Sequence, residues 1–188
     1  MQPHDHVLDI GCGSRQTTRE AARTARVGRA LGVDISAPAI ERARDLARAL
    51  RPAGRLVMLI WQARERNEWD VAIRRSLAGP ENPAAPAAAG PDPFSLADPP
   101  TVEGILTAAR FSDVTFTDVH EHVYYGPDVA AALDWVRGFT YTSDVLKRLD
   151  PAAAADALGR LRETLVAHMS NNGVWFDSRA WIVTACRN

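Results

Sequence analysis

Val7-Leu8-Asp9-Ile10-Gly11-Cys12-Gly13 joins an apolar strand to a turn carrying two glycines, and this junction constrains the fold more than any other stretch of the chain. Val7, Leu8 and Ile10 suit a buried parallel strand, and the glycines remove the Cβ atoms that would keep a small molecule away from the backbone. The pattern then predicts a helix from Thr17 to about Arg26 and a second apolar strand, Ala30-Leu31-Gly32-Val33-Asp34-Ile35. Asp34 follows the glycines by about twenty residues, the spacing at which a βαβ nucleotide site places its ribose-binding carboxylate.

The bulk properties fit a cytoplasmic α/β protein. With 188 residues the chain is long enough for one domain with a buried core. A net charge of −1 gives no electrostatic reason to expect nucleic acid or an anionic membrane as partner. No apolar run approaches the roughly 20 residues of a membrane span, and Met1-Gln2-Pro3-His4-Asp5-His6 lacks the features of a signal peptide. Two cysteines, Cys12 and Cys186, make a disulfide framework unexpected.

Further along, Ser36 caps a helix over Ala37 to Leu50 that Arg51-Pro52-Ala53-Gly54 ends. Arg55 to Trp61 reads as a third buried strand, and Asn67 to about Ala78 as a helix with Trp69, Ile73 and Leu77 on one face. Gly79 to Pro100 is a Pro/Ala-rich loop within which Pro93-Phe94-Ser95-Leu96 docks on the domain. Asp98-Pro99 caps a helix through about Ala109, and Phe111 to Val119 alternates as a half-exposed strand. Helices over Asp128 to Phe139, Ser143 to Leu149 and Pro151 to Met169 follow. A turn at Asn171-Asn172-Gly173 and a last strand over Arg179 to Ala185 close the chain.

In this order, Val7 to Gly13 and Gly32-Val33-Asp34-Ile35-Ser36 resemble the first motif and second-strand acid of class I S-adenosylmethionine-dependent methyltransferases. Leu50-Arg51-Pro52-Ala53-Gly54-Arg55-Leu56-Val57 is similar to that family's approach to its fifth strand, and Leu106 to Phe111 to its helix-to-strand turn before the sixth. The resemblance implies a Rossmann-like three-layer αβα sandwich in a single domain, 1–188. Residues 1–61 would be the cofactor-binding half, 79–100 a loop, and 101–188 the closing helices and strands. It implies S-adenosylmethionine as cofactor, with Asp9 drawing its ammonium, Gly11, Cys12 and Gly13 passing close to it, and Asp34, with Ile35 beside it, accepting from the ribose hydroxyls. The acceptor would be a small molecule, and no catalytic residue is assigned.

Three departures qualify this picture. One helix leads from the second strand to Arg51-Pro52, where the family has a third and a fourth strand. About fifty residues are absent on the usual length of such units. The predicted sheet is therefore shortened to 2-1-5-7-6 in the family's labels, its last strand antiparallel, with 56–61 beside 7–10. The absent part would carry the turn that contacts adenine and the strand tip beside the methyl group. The gap also exposes apolar surface on the fifth strand or the first helices, which predicts a homodimer or poor solubility. Arg15 replaces a third glycine, and Arg110 replaces the glycine before Phe111, where a helix C-cap requires φ > 0.

The rival readings are weaker or of another class. A nicotinamide oxidoreductase would need glycine where Gln16 stands, and a Tyr-x-x-x-Lys pair that the chain lacks. A non-catalytic methyltransferase-fold domain, acting through a partner or residual cofactor binding, accommodates the gap and Arg15. Cys12 reads as a small turn residue rather than a nucleophile. His120-Glu121-His122 puts two imidazoles on one strand face, yet without further ligands reads as a solvated edge, so no metal is expected. Trp61, Trp69, Tyr124, Tyr125 and Trp135 are core residues or the lining of an acceptor pocket. The arginine runs 19/23/26 and 42/44/48 read as solvated helix faces.

Overall fold

A computed structural model of the protein describes residues 1–10, 16–27, 29–33, 54–79 and 92–188. The chain is α/β, as expected, and divides into two compact units, Met1–Arg51 and Pro52–Asn188.

The first unit is a βαβ element. Strand β1 (His6–Ile10) and strand β2 (Arg29–Val33) pair in parallel, in register from His6 opposite Arg29 to Ile10 opposite Val33. Helix α1 (Gln16–Thr24) connects them and packs on both strands. Ala21 and Ala25, one turn apart, are buried, while Arg19, Glu20 and Arg23 face solvent. The expected helix over Ala37–Leu50 lies outside the described residues.

In the second unit, strand β3 (Arg55–Trp61) is followed by a 3-10 turn at Arg64–Arg66 and helix α2 (Glu68–Ala78), which ends at Gly79 with φ 76°. Helix α3 (Pro99–Ala108) begins where Asp98 accepts hydrogen bonds from the Thr101 backbone N–H (3.0 Å) and hydroxyl (2.6 Å). Strand β4 (Phe111–Gly126) is followed by helices α4 (Val129–Arg137), α5 (Thr140–Arg148) and α6 (Pro151–Ala167), then strands β5 (Met169–Ser170) and β6 (Gly173–Arg187). Asp150-Pro151 starts α6 as Asp98-Pro99 starts α3: the aspartate takes the first free N–H groups, and proline occupies the position with none to satisfy. Gly173 is obligatory in the last turn, because at φ +124° a Cβ there would lie 2.5 Å from the Gly126 carbonyl oxygen.

The four-stranded sheet is antiparallel, with the path β3-β6-β4 and β5 beside β6. In the family's labels the described pairings give two runs, 2-1 and 5-7-6. The step that would join them, 56–61 beside 7–10, is not among them. Strands β4 and β6 outrun the expected bounds because their pairing extends from Phe111 opposite Arg187 to Gly126 opposite Val174. The polar run His120-Glu121-His122 belongs to that ladder, which a search for apolar alternation ends too early.

Burial changes face along β6. Val174, Phe176, Ser178 and Ala180 are buried toward one end, Val183 and Ala185 toward the other, and the parity shifts between them. The main core gathers Val174, Phe176 and Tyr125 with Ile73 and Leu77 of α2, Val136 of α4, and Leu161 and Leu165 of α6. On β3 the alternation leaves Leu56 buried, but Val57 is 54% and Leu59 61% exposed.

Candidate functional site

Asp9 is the penultimate residue of β1 and stands opposite Gly32 in the parallel pair. Gly11, Cys12, Gly13, Asp34 and Ile35 lie outside the described residues. The strands that lead into them, ending at Ile10 and Val33, are in register at their carboxyl ends. Ligands in parallel α/β sheets bind at such ends.

The second unit carries a polar and aromatic cluster where β3 gives way to α2. Gln62, next after the strand, is buried and donates through Nε2 to the Ala180 carbonyl at 2.9 Å and to Asp118. That donation is the main reason the Asp118 carboxyl is held below its ordinary range. Asp70 is buried beneath two guanidinium groups: Arg74 reaches it through Nε at 2.7 Å, and Arg64 pairs with it while holding Asp92 at 2.8 Å. Burial alone would lower the Arg64 pKa, but the two carboxylates outweigh it and raise it. Arg64 stacks 4.5 Å from the Phe94 ring centre, and Arg74 lies 3.8 Å from that of Tyr141. Trp69 bridges Trp61 (5.4 Å) and Phe94 (5.6 Å). Phe94, on the segment expected to dock, is buried. Burial pushes the Tyr125 and Tyr141 hydroxyls above the ordinary phenol range.

Of the aromatic residues singled out in the sequence, Trp61 and Trp69 belong to this cluster. Tyr125 sits in the main core against Phe176, whereas Tyr124 and Trp135 are exposed on the surface. Arg64, Asp70, Arg74, Asp92 and Tyr141 were not anticipated. The one local signal was the i,i+4 spacing of Asp70 and Arg74, which places the two on one face of a helix.

A cleft of about 1030 Å³ runs along α2 and α6. Glu68 and His168 approach to 3.1 Å at one end, the Ser76 and Thr164 hydroxyls bond at 2.7 Å further along, and Arg160 Nε donates to the Ser76 carbonyl at 2.9 Å. Burial pushes the Glu68 carboxyl up, but the Asp177 N–H at 2.9 Å and His168 together outweigh it and hold it below its ordinary value.

His120 Nε2 lies 2.6 Å from Asp177 Oδ1, while His122 stands directly across from Asp177 in the ladder. Among the described residues no group of three or more His, Cys, Asp or Glu side chains is placed to hold a metal ion. None of the described helices is long and apolar enough to cross a membrane.

Residues 7–74 match the family model described as a methyltransferase domain. This segment is similar to methyltransferase domains. It spans β1, α1, β2 and β3 and runs into α2, so the match covers Gly11, Gly13 and Asp34. No curated protein matches the chain. Among solved structures, a putative methyltransferase from Bacillus halodurans is similar at 9% identity over 100% of this chain and 94% of its own, with a TM-score of 0.46. A phosphoethanolamine N-methyltransferase 2 from Haemonchus contortus, solved with phosphomonomethylethanolamine and S-adenosylhomocysteine, is 11% identical over 100% of this chain and 49% of its own, with a TM-score of 0.38. The likeness to methyltransferases rests on the sequence segment, not on these distant likenesses of fold.

Proposed function

We propose that the protein transfers a methyl group from S-adenosylmethionine to a small-molecule acceptor. The observation that carries this reading is the methyltransferase match over residues 7–74, which includes the parallel pair β1–β2 and the residues following both strands. The donor set suits the cofactor: it carries an ammonium, a sulfonium and a ribose diol, and needs carboxylates more than a phosphate cradle. Asp9 would attract the ammonium, Gly11 and Gly13 would let the backbone approach around Cys12, and Asp34, followed by Ile35, would accept from the ribose hydroxyls. When bound, the sulfonium supplies an activated methyl group and its own leaving group. The chain's part is then chiefly orientation, which supplies on the order of 7–11 kcal/mol in favourable cases, so no general base is required.

A non-catalytic methyltransferase-fold domain, acting through a partner or residual cofactor binding, is the second reading. It is favoured by the short connection between β2 and β3, which leaves only residues 34–54 for what the family builds from two further strands. Calorimetric titration with S-adenosylhomocysteine, with NAD as control, tests the cofactor site in the wild type and in Asp34→Ala. Saturable binding of the first ligand alone, lost in the variant, supports that site and opens an acceptor screen. Absence of binding by the folded wild type overturns the enzyme reading.

A further inference from the structure

We infer that the cleft along α2 and α6 in the second unit is a binding site for an oxyanion, the phosphate or carboxylate group of a small molecule. Arg75 of α2 and Arg160 of α6 both line the cleft there, and among the described residues neither has a carboxylate within 4.0 Å. The wall as a whole carries Glu65, Glu68, Glu163 and Asp177 against Arg66, Arg75, Arg160 and Arg179, but Glu68 and Asp177 are engaged by His168 and His120 and Arg179 by Asp118. Among the described residues Arg75 and Arg160 pair with no carboxylate, which favours an anion beside them.

Arg160 is fixed for that role by its surroundings. Its Nε donates to the Ser76 carbonyl at 2.9 Å, and its guanidinium lies over Gly79, where a Cβ would come within 3.1 Å of Nη2. The glycine, at φ +76°, both ends α2 and makes room for the cation. One bond thus orients the guanidinium, while neither terminal nitrogen has an acceptor among the described residues. That leaves the outer edge open to the paired hydrogen bonds arginine makes with carboxylate or phosphate.

The cleft, at about 1030 Å³, matches the upper end of ordinary small-molecule sites and exceeds what a bare ion needs. Thr164 adds a hydroxyl to the wall. Glu163, also on the wall, opposes an anion without pairing with either arginine, so its removal is expected to strengthen binding. The inference is independent of the cofactor reading and stands or fails separately from it.

Calorimetric titration of the purified chain at low salt, with inorganic phosphate and with citrate, tests the site. Saturable binding of either probe is expected, weakened about tenfold or more in Arg75→Gln and in Arg160→Gln and tightened in Glu163→Gln. Binding of phosphate alone identifies a phosphate-bearing ligand, and binding of citrate alone a carboxylate-bearing one. Arg162→Gln, on an exposed arginine of α6 that does not line the cleft, is expected to bind as the wild type does. Thermal melting checks that each variant is folded, and Arg75→Gln removes an exposed side chain that makes no hydrogen bond or ion pair among the described residues. No saturable binding of either probe by the folded wild type, or an equal loss in Arg162→Gln, overturns the inference.

Discussion

Asn188 donates its backbone N–H to the carbonyl oxygen of Arg110 at 3.0 Å, and the residue that accepts it sits at φ 64°. Arg110 occupies the turn between α3 and β4, its own N–H bonded to the Thr107 carbonyl at 3.0 Å. A left-handed conformation costs a residue with a Cβ about 1–2 kcal/mol, and glycine pays part of that back as unfolded-chain entropy. Arg110→Gly is therefore expected to stabilise the second unit by about 0.5–1 kcal/mol, raising its melting temperature by roughly 1–4 °C. A lowered melting temperature in calorimetry would mean that the arginine side chain contributes more than its backbone costs.

Asn67 is fully buried and uses its whole hydrogen-bonding capacity. Its amide donates to the Gln62 and Ala63 carbonyls, both at 3.2 Å, while its oxygen accepts from Trp69 Nε1 at 3.2 Å and from the Arg179 N–H at 3.1 Å. The residue thereby ties the β3–α2 turn to the middle of β6. Asn67→Ala would leave those partners unpaired in a dry site, with an expected loss of about 2–4 kcal/mol in urea unfolding. A loss under about 1 kcal/mol would show that water replaces the amide.

These two residues mark where the sequence was legible and where it was not. Arg110 stood out because the helix-to-strand turn needs a positive φ that arginine dislikes, a local rule readable from neighbouring positions. Likewise β3, the Asp-Pro helix starts and the Asn171-Asn172-Gly173 turn follow from local chemistry. Asn67 looked like an ordinary helix start, because its decisive partner, Arg179, is remote in the chain. The same holds for Asp92, which pairs with Arg64 from 28 residues further along the chain. In residues 1–61, expected to hold the cofactor, the candidate residues form a spaced motif in the sequence. Only Asp9 among them lies within the described residues, as a position on β1.

Glu68 ties the start of α2 to β6 and to the end of α6. Desolvation pushes its carboxyl up, yet the Asp177 N–H and His168 hold it below its ordinary value of 4.5. A carboxyl depressed on folding adds stability that is present above the unfolded pKa and is lost as pH falls through the folded one. The denaturant midpoint of the wild type should thus decline as the medium is acidified below about pH 4.5, and Glu68→Gln should flatten that part of the profile. The side chain is 47% exposed, so solvent screening keeps the effect modest. Parallel acid limbs in wild type and variant would remove Glu68 from the account.

Val57 and Leu59 point from the same face of β3, opposite Thr184 and Ile182 of β6, and both are more than half exposed. The sequence gap led to the expectation of uncovered apolar surface on this strand or on the first helices, and exposed apolar side chains side by side on a strand are prone to self-association. We propose that this face mediates the expected homodimer. Wild-type protein should bind an apolar fluorescent dye while folded and show concentration-dependent sedimentation. The double variant Val57→Thr, Leu59→Thr keeps β-propensity while adding hydroxyls to a solvated face, so its melting temperature should change little. Its dye signal and its association should both fall. A wild type that sediments as a monomer and binds no dye would mean that two isolated apolar side chains make no adhesive patch.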